Sequence, residues 1–508
     1  MGITTFSFWI FLIPTVLVYY TFPAKQYQWI VLLTANYIFF LLVSSWTMIP
    51  YLLWGIIIAW GGGLLVSVLK QEKARKYALI ATILLLVIEL AYLKYSRLGI
   101  RIYNAVASMW GGQYSFETAG ILAPIGISYY TLSVIGYVIE VYWGNISAEK
   151  NLLKFSVFVT FFPQMTSGPI TRYGEMRNEL FCEHHFDHKK VLFGIQRILW
   201  GLFKKLVIAD RVATFVTNVY ADYYTYSGTW IFVAVVLFAL QLYTDFSGCM
   251  DIICGASECF GISLPENFNS PFLSETVSEF WGRWHITMGA WFKDFLLYPL
   301  MKSSGIQSLR KRLKKHFGKG IAKSVPTYLC MSVVWITIGV WHGGDFKYIF
   351  ASGILQGFYL IMGEMLSPLS RKVNGYINTE AFSWHLFRRL RTAFLLCTSW
   401  VFIRAERFLD GIKVIQAMFA EKNGYILLND DLYTLGLSWK DFNVVYCGVL
   451  LLILVAHQKE KGIDPREELY AQNIWAQWLV MLVMLFTIII FGIYGPGYNP
   501  VDFIYKNF

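Results

Sequence analysis

The sequence predicts an all-α polytopic membrane protein with about 11–13 membrane segments, some of them re-entrant. Three observations carry that prediction. Only 15% of the 508 residues are charged and 56% are hydrophobic, whereas a soluble domain carries roughly 25% charged residues. The chain therefore lacks the residues to cover a soluble surface. The apolar runs are continuous, not alternating, which selects helices over a β-barrel. In lipid each backbone N–H and C=O must find a partner within the protein, and a helix supplies one locally.

Candidate spans lie at 6–20, 29–43, 51–69, 77–93, 121–142, 155–170, 191–209, 230–243, 325–341, 348–365, 393–403, 442–457 and 475–494. The first lacks a basic leader and a small-residue cleavage site, so it reads as a retained helix and not a signal peptide. The seven cysteines (Cys182, Cys249, Cys254, Cys259, Cys330, Cys397 and Cys447) form no Cys-x-x-Cys pair. They read as buried small hydrophobes, with no call for a disulfide or a zinc site. His184, His185 and His188 cluster in FCEHHFDHKK. With no companion ligands they read as a solvated loop, and no metal is expected.

The formal charge is +11. Its basic residues fall in short segments between apolar runs, which points to membrane orientation and away from nucleic acid. Lys70, Lys73, Arg75 and Lys76 form one basic loop, and 302–323 forms a second. Arg371, Lys372, Arg388, Arg389 and Arg391 mark a third, and Lys459, Lys461 and Arg466 a fourth. The positive-inside rule places all four in the cytoplasm and the N-terminus outside, in a multi-pass cell-membrane protein. Lys94, Arg97 and Arg101 then fall on the outer side.

Ionisable residues at membrane depth are costly and mark candidate sites. Asp245 lies near the end of an apolar run, either as a site residue or as an interfacial carboxylate that caps a helix or pairs with a basic residue. The segment 265–299 opens with prolines and asparagines. It then places Trp281, Trp284, His285, Met288 and Trp291 at helical spacings of three and four, so they share one face of a re-entrant or interfacial helix. Glu279, Arg283, Lys293 and Asp294 decorate the remainder. His342 stands in Gly339-Val-Trp341-His342-Gly343-Gly344-Asp345. If the preceding helix starts near Pro326, His342 lies roughly 24 Å along it, beyond the middle of a core ~30 Å thick. The two glycines permit close approach of a substrate. The residues alone leave two readings open: a helix cap with an interfacial histidine, or a catalytic imidazole. Histidine suits acyl transfer, because its pKa of ~6.5 lets it take a proton from a hydroxyl near neutral pH. Two histidines converging on one site divide the work, one as base and the other positioning or polarising the acyl carbonyl.

A set of motifs runs along most of the chain. They are AYLKY (91–95), APIGISYYTLSVIGYVIEVY (123–142), FFPQMTSGPITR (161–172), GLFKKLVIAD (201–210) and LYTDFSG (242–248). PENFNSPF (265–272), EFWGRWHITMGAWFKDFLLYPL (279–300), GVWHGGDFKYIFASGILQG (339–357) and WVFIRAE (400–406) follow. In this order and spacing the chain resembles the membrane-bound O-acyltransferase (MBOAT) family, in its bacterial branch. That branch includes the alginate O-acetylation protein, peptidoglycan O-acetyltransferases and the teichoic-acid D-alanyl transfer protein. The resemblance implies one membrane domain over 1–508, with helices around a central tunnel or funnel. N-terminal helices would occupy 1–120, the catalytic core 121–410 and C-terminal helices 411–508.

The resemblance also implies that His342 of the Trp-His-Gly motif is catalytic and that His285 holds the second family position. Trp281, Arg283, Trp284, Trp341 and Asp294 become candidate substrate contacts. It implies no bound cofactor, with acyl-CoA (acetyl-CoA) or an acyl carrier protein thioester as the donor. An SGNH-type extracytoplasmic partner would place the acyl group on a cell-surface polysaccharide. Phe292-Lys293-Asp294-Phe295 replaces the Phe-Arg-Asp-Tyr frequent in relatives and leaves the donor open. The alternatives are D-alanyl transfer from a carrier protein toward teichoic acid, and a polymer or lipid transporter without chemistry. The last is disfavoured because no repeat is visible.

Overall fold

A computed structural model describes residues 2–110 and 123–495. Among them no strand forms, and one isolated antiparallel bridge joins Phe268 and Trp284. The all-α polytopic fold is borne out. Seven described helices are long and apolar enough to cross a membrane, or eight if the bent pair Phe346–Met365 and Ser367–Asn374 is one span. Phe6–Thr21 is a shorter apolar helix. The other expected spans are shorter, broken or more polar. The start of the 121–142 span, and the expected boundary at 120/121, lie outside the described residues.

Two compact units make up the structure. One takes in the described residues up to Ile198 together with Met250–Pro265. The other takes in Leu199–Cys249 and the described residues from Glu266 onward.

In the first unit the expected spans at 6–20, 29–43 and 51–69 appear as Phe6–Thr21, Gln28–Val43 and Ile49–Val68. The fourth extends to Glu72–Met109 and the fifth is Ile127–Trp143. The 155–170 span is corrected: it is not one helix. A helix over Leu152–Thr160 stops before a short turn over Phe162–Met165. Pro163 has no N–H to continue the ladder. Asn36, fully buried, takes up what the break releases. Its Oδ1 accepts from Phe162 N at 2.9 Å and its Nδ2 donates to Thr160 Oγ1 at 3.2 Å.

The histidine cluster is corrected in part. His185 and His188 are exposed, but His184 is buried. Gln28 clasps the His184 backbone, accepting from its N at 2.9 Å and donating to its O at 3.0 Å. The ring Nε2 donates to Glu179 O at 2.7 Å, and burial pushes the imidazole below the ordinary histidine value. The cysteines also divide. Cys249, Cys254, Cys259 and Cys330 are buried, whereas Cys182 and Cys447 are exposed and Cys397 is half-buried.

In the second unit, 302–323 is not a loop. A helix runs over Ser304–Gly343, and its only non-helical residue is Gly318, at φ 82° and ψ 178°. Arg310, Lys311, Arg312, Lys314 and Lys315 precede that break, and Lys319 and Lys323 follow it. Pro326 lies inside the helix and does not start it. Lys323, the last cation, precedes His342 by nineteen residues, roughly 28 Å of helix. The last turns pack on the π-helical segment Ile349–Ile354. Gly339 makes that approach possible: a Cβ there would meet Ile349 Cα at 2.9 Å and Gly353 Cα at 3.1 Å. Gly339→Leu is expected to cost about 1–3 kcal/mol of stability through overpacking, read as a lower thermal unfolding midpoint in detergent. A midpoint equal to wild type would show that this crossing yields.

Candidate functional site

The segment carrying the first histidine does not form the single amphipathic helix that its spacing suggests. A helix over Val277–Arg283 ends at Trp284, whose backbone is extended, and a new helix begins at Ile286. His285 sits at the junction in the left-handed region, at φ 50° and ψ 47°. Such a conformation costs a non-glycine residue on the order of 1–3 kcal/mol and persists only where its surroundings enforce it. Here residues 267–269 enforce it. Asn269 N donates to Arg283 O at 2.9 Å and Ile286 N donates to Asn267 O at 3.1 Å. Trp284 N still donates to Phe280 O at 2.8 Å and His285 O accepts from Gly289 N at 3.1 Å, but the bonds to residues 267–269 turn the chain between the two helices, so the shared aromatic face is interrupted at Trp284.

Asn267 also sets the state of the imidazole. Its Oδ1 accepts from Thr287 N at 3.1 Å and from Thr287 Oγ1 at 3.0 Å, and lies 3.4 Å from His285 Nδ1. A backbone N–H can only donate, so this atom of Asn267 is the carbonyl oxygen. His285 Nδ1 then donates to it and carries a hydrogen. In a neutral ring Nε2 is therefore the nitrogen with the lone pair. His285 is fully buried. The edge-on ring of Phe246 lies 4.9 Å away between centroids.

His342 stands at the last turn of Ser304–Gly343 and is buried. Trp341 joins the two imidazoles, with its ring 6.3 Å from His285 and 5.1 Å from His342. It also contacts Phe292 at 6.4 Å. The structure thus brings His285, Trp341 and His342 together. The double glycine ends the helix, with Gly344 at φ 73°, and the face of Gly343 is filled by Tyr348, whose Cδ2 would lie 2.4 Å from an added Cβ.

The other candidates divide. Trp284 is buried among Phe268, Phe280 and Trp400, at 4.9, 5.3 and 5.6 Å. It packs directly before His285. Trp281 donates its indole N–H to Gln356 Oε1 at 3.1 Å, and Gln356 Nε2 donates to Ser399 Oγ at 2.7 Å. Arg283 turns to Glu279, at 2.9 Å, and to Glu460. Asp294 is half-buried on the π-helical turn Lys293–Leu297.

Asp245 pairs with a basic residue, and it does so buried within the helix Thr229–Glu258. Lys205 Nζ lies 2.5 Å from Asp245 Oδ1 and 2.8 Å from Asp210 Oδ1. Sequence reasoning missed Asn267, Phe246, Gln356 and Ser399. Asn267 and Phe246 stand within quoted motifs, but only the fold pairs them with His285.

Residues 145–403 match the family described as MBOAT, membrane-bound O-acyltransferase. The chain is 30% identical over 414 residues to the probable alginate O-acetylase of Pseudomonas syringae pv. tomato, covering 80% of this chain and 73% of that one. It is 26% identical over 422 residues to the peptidoglycan O-acetyltransferase of Helicobacter pylori, covering 78% and 74%. It is 29% identical over 233 residues to the teichoic acid D-alanyltransferase of Bacillus subtilis, covering 45% and 56%.

Asn267→Ala removes an acceptor shared by three buried donors, at about 1–3 kcal/mol for each one stranded. Its unfolding midpoint in detergent is expected to fall well below that of Asn269→Ala, which removes an exposed side chain and keeps the backbone bond to Arg283. Equal midpoints would show that the Asn267 amide does not hold the junction.

Proposed function

The chain belongs to the membrane-bound O-acyltransferase family, and from that premise we propose that it moves an acetyl group from a cytoplasmic thioester to hydroxyls of a cell-surface polysaccharide. The observation that carries this reading is the grouping of His285, Trp341 and His342, two buried imidazoles in contact with one indole. The similarity favours acetyl over D-alanyl. Matches to relatives named as O-acetylases or O-acetyltransferases span about four fifths of this chain, and the match to the Bacillus subtilis D-alanyltransferase spans 45%.

In this reading His342 is the general base. It takes the proton of the acceptor hydroxyl as the oxygen attacks the thioester carbonyl. The tetrahedral intermediate collapses with the thiolate as leaving group, and the imidazolium returns the proton to sulfur. A thiol of pKa ~8.5 is a far better leaving group than an alkoxide, so no further energy source is needed. The hydrogen on His285 Nδ1 is engaged by Asn267. The neutral ring therefore offers an acceptor at Nε2, which suits orienting a hydroxyl and does not suit polarising a carbonyl. Burial of both rings keeps the thioester away from bulk water. The donor is acetyl-CoA or an acyl carrier protein thioester, arriving on the side of the basic segments, which is cytoplasmic by the positive-inside rule. The N-terminus is then outside, where an SGNH-type protein completes delivery to the polymer.

The test uses inside-out vesicles supplied with radiolabelled acetyl-CoA or with D-alanyl carrier protein. Acetyl transfer by the wild type is expected to fall by at least roughly 10²-fold in His342→Ala, with membrane insertion unchanged. Undiminished transfer in that variant would remove His342 from the mechanism. Label transferred only from the D-alanyl carrier would replace acetyl with D-alanyl.

A further inference from the structure

Among the motifs still without a role, GLFKKLVIAD and LYTDFSG are brought together by the fold. Lys204 and Lys205 are buried on the π-helical segment Phe203–Ala209. Lys205 Nζ bonds Asp245 Oδ1 at 2.5 Å, and Lys204 Nζ donates to Ser247 Oγ at 3.0 Å. Between those two anchors stands Phe246, the residue whose ring meets His285. Gly248 lets the backbones close. A Cβ there would lie 2.8 Å from Gly201 O and 3.3 Å from Lys205 N.

We propose that Lys204 and Lys205 clamp Asp245 and Ser247 so that Phe246, held between them, fixes the ring of His285 for acyl transfer. The inference rests on the acyltransferase reading above. It makes Lys204, Lys205, Asp245, Ser247 and Phe246 positioning residues.

The geometry of the helix supports this. Residues 245 and 247 point about 200° apart, on either side of 246. Gripping both blocks rotation in either sense. A turn of about 20° would carry a ring ~5–6 Å from the axis through roughly 2 Å. Misplacement by ~1 Å can cost about 10²-fold in rate. Stability alone does not explain the cluster, since buried ion pairs are often replaceable by apolar residues without loss. A π-helical segment is itself a feature found frequently at functional sites. Phe246 also packs on Phe268 at 5.0 Å, the residue next to Asn267. The ring is thereby seated against the same segment that sets the His285 tautomer.

The test is a double-mutant cycle in vesicles with acetyl-CoA as donor. Asp245→Asn and Phe246→Ala are each expected to lower kcat roughly 10–100-fold, with KM for acetyl-CoA changed by less than about twofold. The double variant is expected to fall no further than the weaker single variant, because both act through one ring. Ser247→Ala, the mildest change, is expected to lower kcat several-fold in the wild-type background and not at all beside Phe246→Ala. It keeps the test open if Asp245→Asn fails to fold. Losses that multiply in the double variants, or that appear in KM, would overturn the clamp and leave the acyltransferase reading standing. A wild-type protein inactive with every donor would overturn that reading and the clamp with it.

Discussion

Asn267 sets the geometry on which the rest of the site depends. Its backbone carbonyl accepts from Ile286 N, and its side-chain oxygen accepts from Thr287 and lies within reach of His285 Nδ1. Between those bonds, His285 is held in a conformation that a free chain avoids. The strain is local and the restraints are several, so the imidazole has one orientation and one protonated nitrogen. Phe246, itself packed on Trp284, closes on the ring, and Trp341 carries the contact to His342.

The same rule governs places far from the histidines. A break in a helix frees backbone groups that lipid cannot satisfy, at a cost of several kcal/mol each. Here a buried or half-buried polar side chain meets three helix ends. Asn36 meets the one before Phe162. Asn423 accepts from Thr229 N at 2.7 Å and donates to Ser227 O at 3.1 Å, at the start of a long helix. Lys347 donates to Ala405 O at 2.8 Å, beyond the end of Phe382–Arg404. These contacts also explain residues that hydropathy would flag as anomalies. A polar residue in an apolar run either repairs the backbone or belongs to the chemistry, and the fold separates the two.

That separation is what the sequence could not make. Long spans such as 51–69 and 442–457 were legible because lipid requires continuous apolarity, which composition shows directly. His285 and His342 were legible as polar residues beside tryptophans, and family resemblance sharpened them. The junction at His285 was not. Trp281, Trp284, His285 and Met288 recur at helical spacing, and periodicity cannot see residues 267–269 returning to interrupt it. Asp245 looked interfacial because its apolar run ended nearby, while its partner Lys205 lies forty residues earlier. His184 looked solvated because nothing near it in sequence revealed Gln28. In each case a long-range polar contact decided the outcome, and such contacts leave no local pattern.

The proposed chemistry and the fold meet the same physical demand. Excluding water from the site keeps an activated thioester for the intended acceptor, and a hydroxyl is a far better nucleophile where a base is at hand. Lipid-embedded helices supply the first condition at no extra cost, but they make the second expensive, since a polar ring in that setting needs partners. Asn267 supplies one through its side-chain oxygen. Residues 267–269 meet the backbone's requirement at the same junction. The basic residues from Arg310 to Lys323 share one helix with His342, which stands at its opposite end. Lys323, the last of those cations, and the imidazole are separated by roughly 28 Å of helix, close to the ~30 Å thickness of a hydrocarbon core.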